Sequence, residues 1–351
     1  MNTTVEKVFR EIKSIFIIVL IALSLRATVI EAYIVPTGSM ENSIMTGDFL
    51  IGNKFVYGMR TPDWIGIPYT ELGFLVPWTR FPEFKKTRQG DVVIFKYPRD
   101  EFQKYVKRCV AEPGQVVEVR VKKVLVDGKE YILPPEGKFV ERNRVPSGVV
   151  GHGIFLRTGG NRDHLGPISV PQKGDIVPID EETDWDYLLP IMMMDGHRVT
   201  LESKPYDRVF EFTMKDPGDI ARRYTSGIRH RIRQYFSSFP RRPGKLDRLY
   251  KKYYRQDNPG GRLLNVWNFK LTEGVIAYLR LDGKPITTLD SYVVEQGYYW
   301  MMGDNRDESA DSRYWGFVPH KLILGEAVFV YMSWDFKNGG PRFHRIGKTI
   351  S

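Results

Sequence analysis

The feature that most constrains this chain is one long apolar run close to its N-terminus. Residues 1–13 are polar and carry three basic residues against two acidic ones, and residues 15–25 are almost entirely aliphatic. If the apolar residues between Ala27 and Val35 are included, the run reaches about twenty residues. This is the length that a bilayer-spanning helix requires. Arg26 and Glu31 would then lie toward its outer end, where a charge costs less than at the bilayer centre. We therefore predict a transmembrane anchor over residues 14–35.

Basic residues set the expected orientation of this anchor. Lys7, Arg10 and Lys13 precede the apolar run, and such residues favour the cytoplasmic side of a membrane. We expect residues 1–13 to be cytoplasmic and the rest of the chain, after Val35, to lie outside. Two other interpretations stay open: a cleaved signal peptide, and a buried helix of a soluble protein.

Beyond the anchor, the pattern is typical of strands. Short β-branched and aromatic runs at 49–51, 91–95 and 116–126 are separated by glycine and proline. Asp127-Gly128 and Asp282-Gly283 each lie between two such runs, which predicts two tight hairpins. The fold class we expect is mainly β, with one β domain built from residues 36–123 and 292–351.

The middle of the chain, residues 124–291, differs in character and is predicted to be a large inserted domain. Its segment 215–262 holds fourteen Lys or Arg and four Asp or Glu, so its excess of ten positive charges equals that of the whole chain. Three interpretations of this basic segment remain open: a solvated or partly disordered surface, contact with anionic lipid, and contact with nucleic acid, which is the least favoured. The arginines alternate with apolar residues, as on an amphipathic helix that lies on anionic lipid.

Three short segments contain the residues of chemical interest. Residues 36–48 place Ser39 directly after the anchor, residues 105–108 contain Lys107, and residues 303–316 alternate Asp and Arg. A serine attacks a carbonyl only when a base accepts its proton, and none of these segments contains a histidine. Lys107 is the remaining candidate base, provided that an apolar environment lowers its pKa from about 10.4.

These three segments, in this order and just after an N-terminal anchor, resemble the bacterial type I signal peptidases. The resemblance implies a signal-peptidase-like β catalytic domain and a membrane serine endopeptidase. Its substrates would be the signal peptides of exported preproteins. The enzyme would lie in the cytoplasmic membrane, with a single span and a periplasmic or extracellular catalytic domain.

The resemblance also implies roles for individual residues. Ser39 would be the nucleophile and Lys107 its general base. The Ser39 amide and the Thr37 hydroxyl would bind the oxyanion. Ser309 would hydrogen-bond the lysine, and Asp311 would pair with Arg313. The residues expected to support the site are Ser309, Asp304, Arg306, Asp311 and Arg313.

Similarity to the family further implies cleavage after a site of the form Ala-x-Ala. Bulky walls would leave room only for a methyl-sized side chain. The residues expected to line this pocket are Val35, Pro36, Met40, Ile44, Tyr105 and Val106.

No cofactor and no metal site are expected. The six histidines are not at metal-ligand spacing from one another or from Cys109, and residues 304–315 lack the glycine and the closing glutamate of a calcium loop. Two rival functions remain open. One is a catalytically silent membrane protein that binds exported chains or lipid, and the other is a protease of the same chemistry dedicated to one substrate.

Overall fold

The computed structural model describes residues 3–66, 73–155, 160–203, 208–215, 262–267, 269 and 271–350. Strands dominate this part of the chain, which confirms the prediction of a mainly β fold. The basic segment 215–262 lies outside the described residues except for its first and last residues, so its three interpretations stay open.

The described helices are α1 (Thr3–Thr28), α2 (Trp185–Asp195), α3 (Glu273–Ile276) and α4 (Ser312–Trp315), with short 3-10 helices at Ile286–Thr288, His320–Leu322 and Phe343–Arg345. The strands are β1 (Ile30–Ile34), β2 (Asp48–Asn53), β3 (Trp64–Gly66), β4 (Gly73–Leu75), β5 (Val92–Tyr97), β6 (Asp100–Ala111), β7 (Val116–Arg120), β8 (Lys123–Val126), β9 (Lys129–Glu130), β10 (His164–Ser169), β11 (Ile176–Pro178), β12 (Val199–Ser203), β13 (Arg208–Thr213), β14 (Leu263–Asn265), β15 (Leu279–Leu281), β16 (Lys284–Pro285), β17 (Ser291–Val293), β18 (Tyr298–Met302), β19 (Val318–Pro319) and β20 (Ile323–Ser333).

A seven-stranded sheet is the centre of the molecule. Its strand order is β1-β2-β20-β5-β6-β18-β19, and all its pairings are antiparallel. Residues 92–95 of β5 are buried on both faces, as expected of a run of consecutive apolar residues in a central strand. This sheet brings together residues far apart in sequence, because β6 lies between β5 and the late strand β18.

Helix α1 contains most of the predicted anchor and exposes its apolar side chains. The large apolar residues described between Val8 and Ile21 are each 45–69% exposed. Within the described residues, however, no helix combines the length and the apolar character needed to cross a membrane.

The predicted anchor over 14–35 is wrong at its C-terminal end. Helix α1 ends at Thr28, and Ile30–Ile34 forms strand β1, paired with β2 from Ile30 opposite Asn53 to Ile34 opposite Phe49. Burial alternates here, since Tyr33 and Val35 are buried whereas Ile34 is exposed. This two-residue period is typical of a strand with one face on the core.

The middle of the chain shares a hydrophobic core with the seven-stranded sheet. One cluster contains Leu188 of α2, Val110 of β6 and Trp300 of β18. A five-stranded sheet of order β14-β13-β12-β15-β16 contributes Leu201 and Leu279 to the same cluster. The predicted domain boundary between residues 123 and 124 falls inside β8, so the chain does not divide at that point.

The two predicted hairpins are confirmed. Asp127 and Gly128 have φ of 51° and 76° between β8 and β9, and Asp282 and Gly283 have φ of 50° and 85° between β15 and β16. Positive φ at both central residues is the geometry that favours Asp-Gly in a two-residue turn.

Candidate active site

Ser39 lies in a loop of residues 36–46, called the Ser39 loop below, whose base is closed by main-chain hydrogen bonds. The Val35 N–H donates to the Asp48 carbonyl at 2.9 Å, and the Gly47 N–H donates to the Val35 carbonyl at 2.9 Å. Inside the loop, the Glu41 N–H donates to the Gly38 carbonyl at 3.0 Å. The loop therefore continues the β1–β2 ladder and holds Ser39 in a defined, buried place.

Lys107 of β6 reaches Ser39, although β20 and β5 lie between β6 and the β1–β2 pair in the sheet. Its Nζ donates to Ser39 Oγ at 2.6 Å and to the Val106 carbonyl at 3.2 Å. Burial lowers the pKa of Lys107 to about 8, while the negative charges of Asp311 and Asp304 act in the opposite direction. An amine with such a pKa is partly neutral near neutral pH, so it can accept the proton of a neighbouring hydroxyl.

Two donors lie close to Ser39 Oγ. The Ser39 backbone N–H donates to no residue in the described part of the chain. The Thr37 hydroxyl lies 3.5 Å from Ser39 Oγ, on an exposed side chain. The Thr37 hydroxyl can rotate toward an incoming oxygen and the Ser39 N–H carries no competing hydrogen bond among the described residues, which is compatible with the oxyanion prediction.

Asp304 forms a buried ion pair that sequence reasoning missed. Arg108 Nε donates to Asp304 Oδ1 at 2.8 Å and Arg108 Nη2 donates to Oδ2 at 2.7 Å, while Ser43 Oγ donates to Oδ2 at 2.5 Å. The pair ties strand β6 and the Ser39 loop to the segment after β18. Arg108 follows Lys107 directly in the sequence, and that adjacency was the one available signal.

Asp311 and Arg313 form the predicted pair. Arg313 Nε and Nη2 donate to Oδ1 and Oδ2 of Asp311, both at 2.9 Å, and Asp311 Oδ2 also accepts from the Gly303 N–H at 3.2 Å. Burial by itself would raise the pKa of Asp311, but the Arg313 charge and these hydrogen bonds lower it. The carboxylate therefore stays ionised and fixes the segment that follows β18.

The predicted hydrogen bond between Ser309 and Lys107 is not formed among the described residues. The Lys107 amine is directed to Ser39 Oγ and the Val106 carbonyl instead. The buried Ser309 Oγ lies against Gly303. A Cβ atom added at Gly303 would collide with this hydroxyl. Ser309 thus packs against Gly303 at the end of β18.

Arg306 is buried, but in the described part of the chain it pairs with no carboxylate. Its Nη1 lies 3.8 Å from Met302 Sδ, and its guanidinium lies 5.9 Å from the centre of the Tyr131 ring. Burial, with the nearby charge of Arg313, lowers the pKa of Arg306 to about 10. Its backbone N–H donates to the Lys138 carbonyl at 3.0 Å, which fastens the segment to the middle of the chain.

Asn305 is a second residue that sequence reasoning missed. Its backbone N–H donates to the Ser39 carbonyl at 3.1 Å, and its Nδ2 donates to the Gly38 carbonyl at 3.1 Å. Nothing in the composition of residues 303–316 indicates that this asparagine holds the Ser39 loop.

The predicted pocket residues do not all lie together. Val35, Met40, Ile44 and Val106 belong to one apolar cluster beside Ser39. Tyr105 packs in the adjacent cluster, with its ring stacked on that of Tyr97 at 4.5 Å. The remaining predicted residue, Pro36, is exposed. Among the described residues, no group of three His, Cys, Asp or Glu side chains could hold a metal ion.

Comparison of the sequence with known proteins finds similarity to signal peptidases. The family model described as signal peptidase, peptidase S26, matches residues 8–164 and 247–334. Signal peptidase I of Buchnera aphidicola subsp. Acyrthosiphon pisum is 23% identical, over 96% of this chain and 81% of its own. Signal peptidase I of Aquifex aeolicus is 24% identical, over 92% of this chain and 84% of its own. A crystal structure of signal peptidase I from Enterococcus faecalis is 15% identical with a TM-score of 0.22, over 69% of this chain and 97% of that chain.

Proposed function

The chain belongs to the signal peptidase, peptidase S26 family and is a serine endopeptidase, and from this premise we propose that it removes N-terminal signal peptides by a Ser-Lys dyad. Ser39 is the nucleophile and Lys107 the general base. The observation that carries the proposal is the buried 2.6 Å hydrogen bond between Lys107 Nζ and Ser39 Oγ, with a lysine whose pKa burial has lowered to about 8.

The reaction proceeds in two steps. Neutral Lys107 takes the Ser39 proton as Oγ attacks the scissile carbonyl, and the Ser39 N–H and the Thr37 hydroxyl bind the oxyanion that forms. Collapse of this intermediate breaks the peptide bond, and Lys107 returns the proton to the leaving amine. Lys107 then deprotonates a water that attacks the acyl ester. The ester C–O bond breaks, Lys107 gives that proton to Ser39 Oγ, and the signal peptide leaves with a new carboxyl terminus.

The proposed substrate preference is the one that similarity to the family implies, and the apolar cluster beside Ser39 supports it. Met40 and Ile44 are 1% and 0% exposed, so bulky aliphatic side chains fill the space next to the nucleophile. We expect small residues at the first and third positions before the cleaved bond, in Ala-x-Ala fashion. Preprotein variants with Leu or Phe at the first position should be cleaved at least about tenfold more slowly than those with Ala. Equal rates would refute this preference.

Two features of α1 support the membrane location. Its apolar side chains are exposed, and the basic residues Lys7, Arg10 and Lys13 precede its aliphatic run of residues 15–25. In this proposal α1 anchors the enzyme in the cytoplasmic membrane with its N-terminus inside and the catalytic domain outside. Protease digestion of intact spheroplasts checks the orientation, because an outward-facing catalytic domain is digested without lysis.

The central test is cleavage of a preprotein in detergent by the native chain, Ser39→Ala and Lys107→Ala. Lys123→Ala is the matched lysine control, since Lys123 lies on the surface with its side chain 65% exposed. Both dyad variants should lose activity by about a thousandfold or more, because nucleophile and base act as a unit, and the control should match the native chain.

Near-native cleavage by folded Lys107→Ala would exclude the dyad. A native chain that cleaves one preprotein among many would favour a protease with a dedicated substrate. A native chain inert on all of them would favour a protein that only binds exported chains.

A further inference from the structure

One residue holds both main-chain carbonyls that flank the nucleophile. Asn305 Nδ2 donates to the Gly38 carbonyl and the Asn305 N–H donates to the Ser39 carbonyl, each at 3.1 Å. These bonds fix the orientation of two successive peptide units, one on each side of the Ser39 Cα atom.

The planarity of the peptide bond gives these contacts a chemical consequence. The Gly38 carbonyl and the Ser39 N–H belong to the same peptide unit, and in a trans peptide they point in opposite directions. The Asn305 amide that draws the carbonyl toward itself therefore turns the N–H away from itself. That N–H donates to no described residue, so it is free to bind a substrate oxygen.

We propose that Asn305 is a positioning residue that orients the Ser39 N–H toward the oxyanion of the tetrahedral intermediate. This inference rests on the proposed role of Ser39 as nucleophile and oxyanion donor. Asn305 touches no reacting atom and acts only through the Gly38–Ser39 peptide.

Asn305 is itself held firmly, as a residue that orients the Ser39 N–H must be. It is fully buried, and its Nδ2 also donates to Glu308 Oε2 at 2.9 Å. On either side of it, the Lys138 N–H donates to the Asp304 carbonyl at 2.9 Å and the Arg306 N–H donates to the Lys138 carbonyl at 3.0 Å. A preorganised donor is worth more than one that must reorient during the reaction, because no reorganisation is needed when charge develops.

Loss of the Nδ2 donor should therefore affect the transition state more than substrate binding. Without that bond the Gly38 carbonyl keeps only the Glu41 N–H as a donor, so the Gly38–Ser39 peptide is less firmly oriented and its N–H points less constantly at the oxyanion position. We expect kcat to fall by about 10- to 100-fold with KM within about twofold, since loss of a complete oxyanion donor typically costs a factor of 100 to 1,000.

The test uses two variants of the full chain, Asn305→Asp and Asn305→Ala. Asn305→Asp keeps the shape and the backbone bond to Ser39 but places an acceptor against the Gly38 carbonyl. Asn143→Asp, at an exposed asparagine, is the matched control and should behave as the native chain. For each protein we would measure kcat, KM, thermal unfolding, and affinity for two ligands: a peptide boronate that forms a tetrahedral adduct with serine, and the same peptide in an uncleavable form.

The expected result is that both Asn305 variants lose boronate affinity by the same factor as kcat/KM, while the uncleavable peptide binds as before. An equal loss for the two ligands, a rise in KM alone, or unchanged kinetics would overturn the proposal. Failure of both variants to fold would also count against the proposal, because the proposed role of Asn305 is to orient the Ser39 loop and not to stabilise the whole fold. Activity of the native chain and its loss in Ser39→Ala test the dyad separately.

Discussion

At the scale of single residues, the proposed mechanism depends on the charge state of Lys107. The side chain is buried, and its Nζ hydrogen-bonds a serine hydroxyl and a carbonyl and lies 5.5 Å from the centre of the Tyr105 ring. The charges of Asp311 and Asp304 also act on it. Burial disfavours the ammonium form and the two carboxylates favour it, and burial is the larger effect. The pKa of about 8 keeps a useful fraction of neutral amine near neutral pH without an additional base.

This balance predicts how activity depends on pH. The neutral amine is the active form, so kcat/KM should rise about tenfold per pH unit well below pH 8 and become constant above it. Initial rates on a soluble peptide substrate between pH 5.5 and 10 would define the rising part of this pH profile. A rate that is constant between pH 6 and 9 would contradict the assignment of Lys107 as the base.

The same burial predicts that Lys107→Met is inactive but more stable. The pKa of Lys107 is lower in the folded than in the unfolded chain, so the unfolded chain binds more protons between the two values, and stability rises as pH increases through about 8 toward 10.5. At pH 7 the folded protein therefore carries a penalty of about 3 kcal/mol.

Methionine removes this penalty but also removes the hydrogen bond to Ser39, worth about 1 kcal/mol. Urea unfolding at pH 7 should thus show a net gain of roughly 2 kcal/mol, and the gain should shrink at pH 10. A variant less stable than the native chain at both pH values would contradict this prediction.

At the scale of elements, the segment after β18 decides where the Ser39 loop lies. Asp304 pairs with Arg108 of β6, Asn305 binds the loop carbonyls, and Asp311 binds the Gly303 N–H. Gly303 is the point of closest approach, because a Cβ there would collide with the Ser39 carbonyl and the Ser309 hydroxyl. The segment and the loop therefore form one packed unit.

We expect Gly303→Ala to displace the Ser39 loop. The methyl group would push against main chain, and a displacement of the nucleophile of about 1 Å can cost about a hundredfold in kcat. Gly274→Ala is the matched control, since a Cβ at Gly274 meets nothing within 4 Å and alanine favours the helix there. Steady-state kinetics and thermal unfolding of both variants provide the check, and a fully active Gly303→Ala would show that the loop can adjust.

At the scale of the whole molecule, the boundary between α1 and the β fold lies at Thr28. Helix α1 ends at Thr28, and β1 begins at Ile30 as a strand of the seven-stranded sheet. Tyr33 and Val35 are part of its core. The proposed attachment to the membrane and the catalytic fold should therefore respond differently to truncation.

Deletion of residues 2–28 should release the enzyme from the membrane fraction and leave cleavage of a soluble peptide within a few-fold of native. Deletion of residues 2–35 should abolish folding or activity, because it removes β1 and the buried Tyr33 and Val35, each worth about 2 kcal/mol or more. Carbonate extraction, thermal unfolding and peptide cleavage distinguish the two. Equal behaviour of the two truncated chains would contradict the boundary at Thr28.

The sequence by itself determined the features that local patterns encode. Asp-Gly between two apolar runs specified both hairpins, and β-branched runs separated by glycine and proline specified a mainly β fold. Ser39 and Lys107 could be proposed as nucleophile and base because three short segments, in their order after the apolar run, resemble one family, whereas a lone serine or lysine would have indicated nothing. These signals are local, since they depend on backbone preferences and side-chain chemistry within a few residues.

Only the tertiary structure decided which distant residues meet. The apolar stretch before Val35 fits a helix or a strand, and pairing with β2 made it β1. Arg108 meets Asp304, 196 positions further along the chain, and Asn305 reaches Gly38 across 267 positions. Lys107 faces Ser39 but not Ser309, although the sequence places both serines in the relevant segments. The physical reason is that strand register and buried ion pairs depend on long-range packing, whose partners local periodicity does not specify.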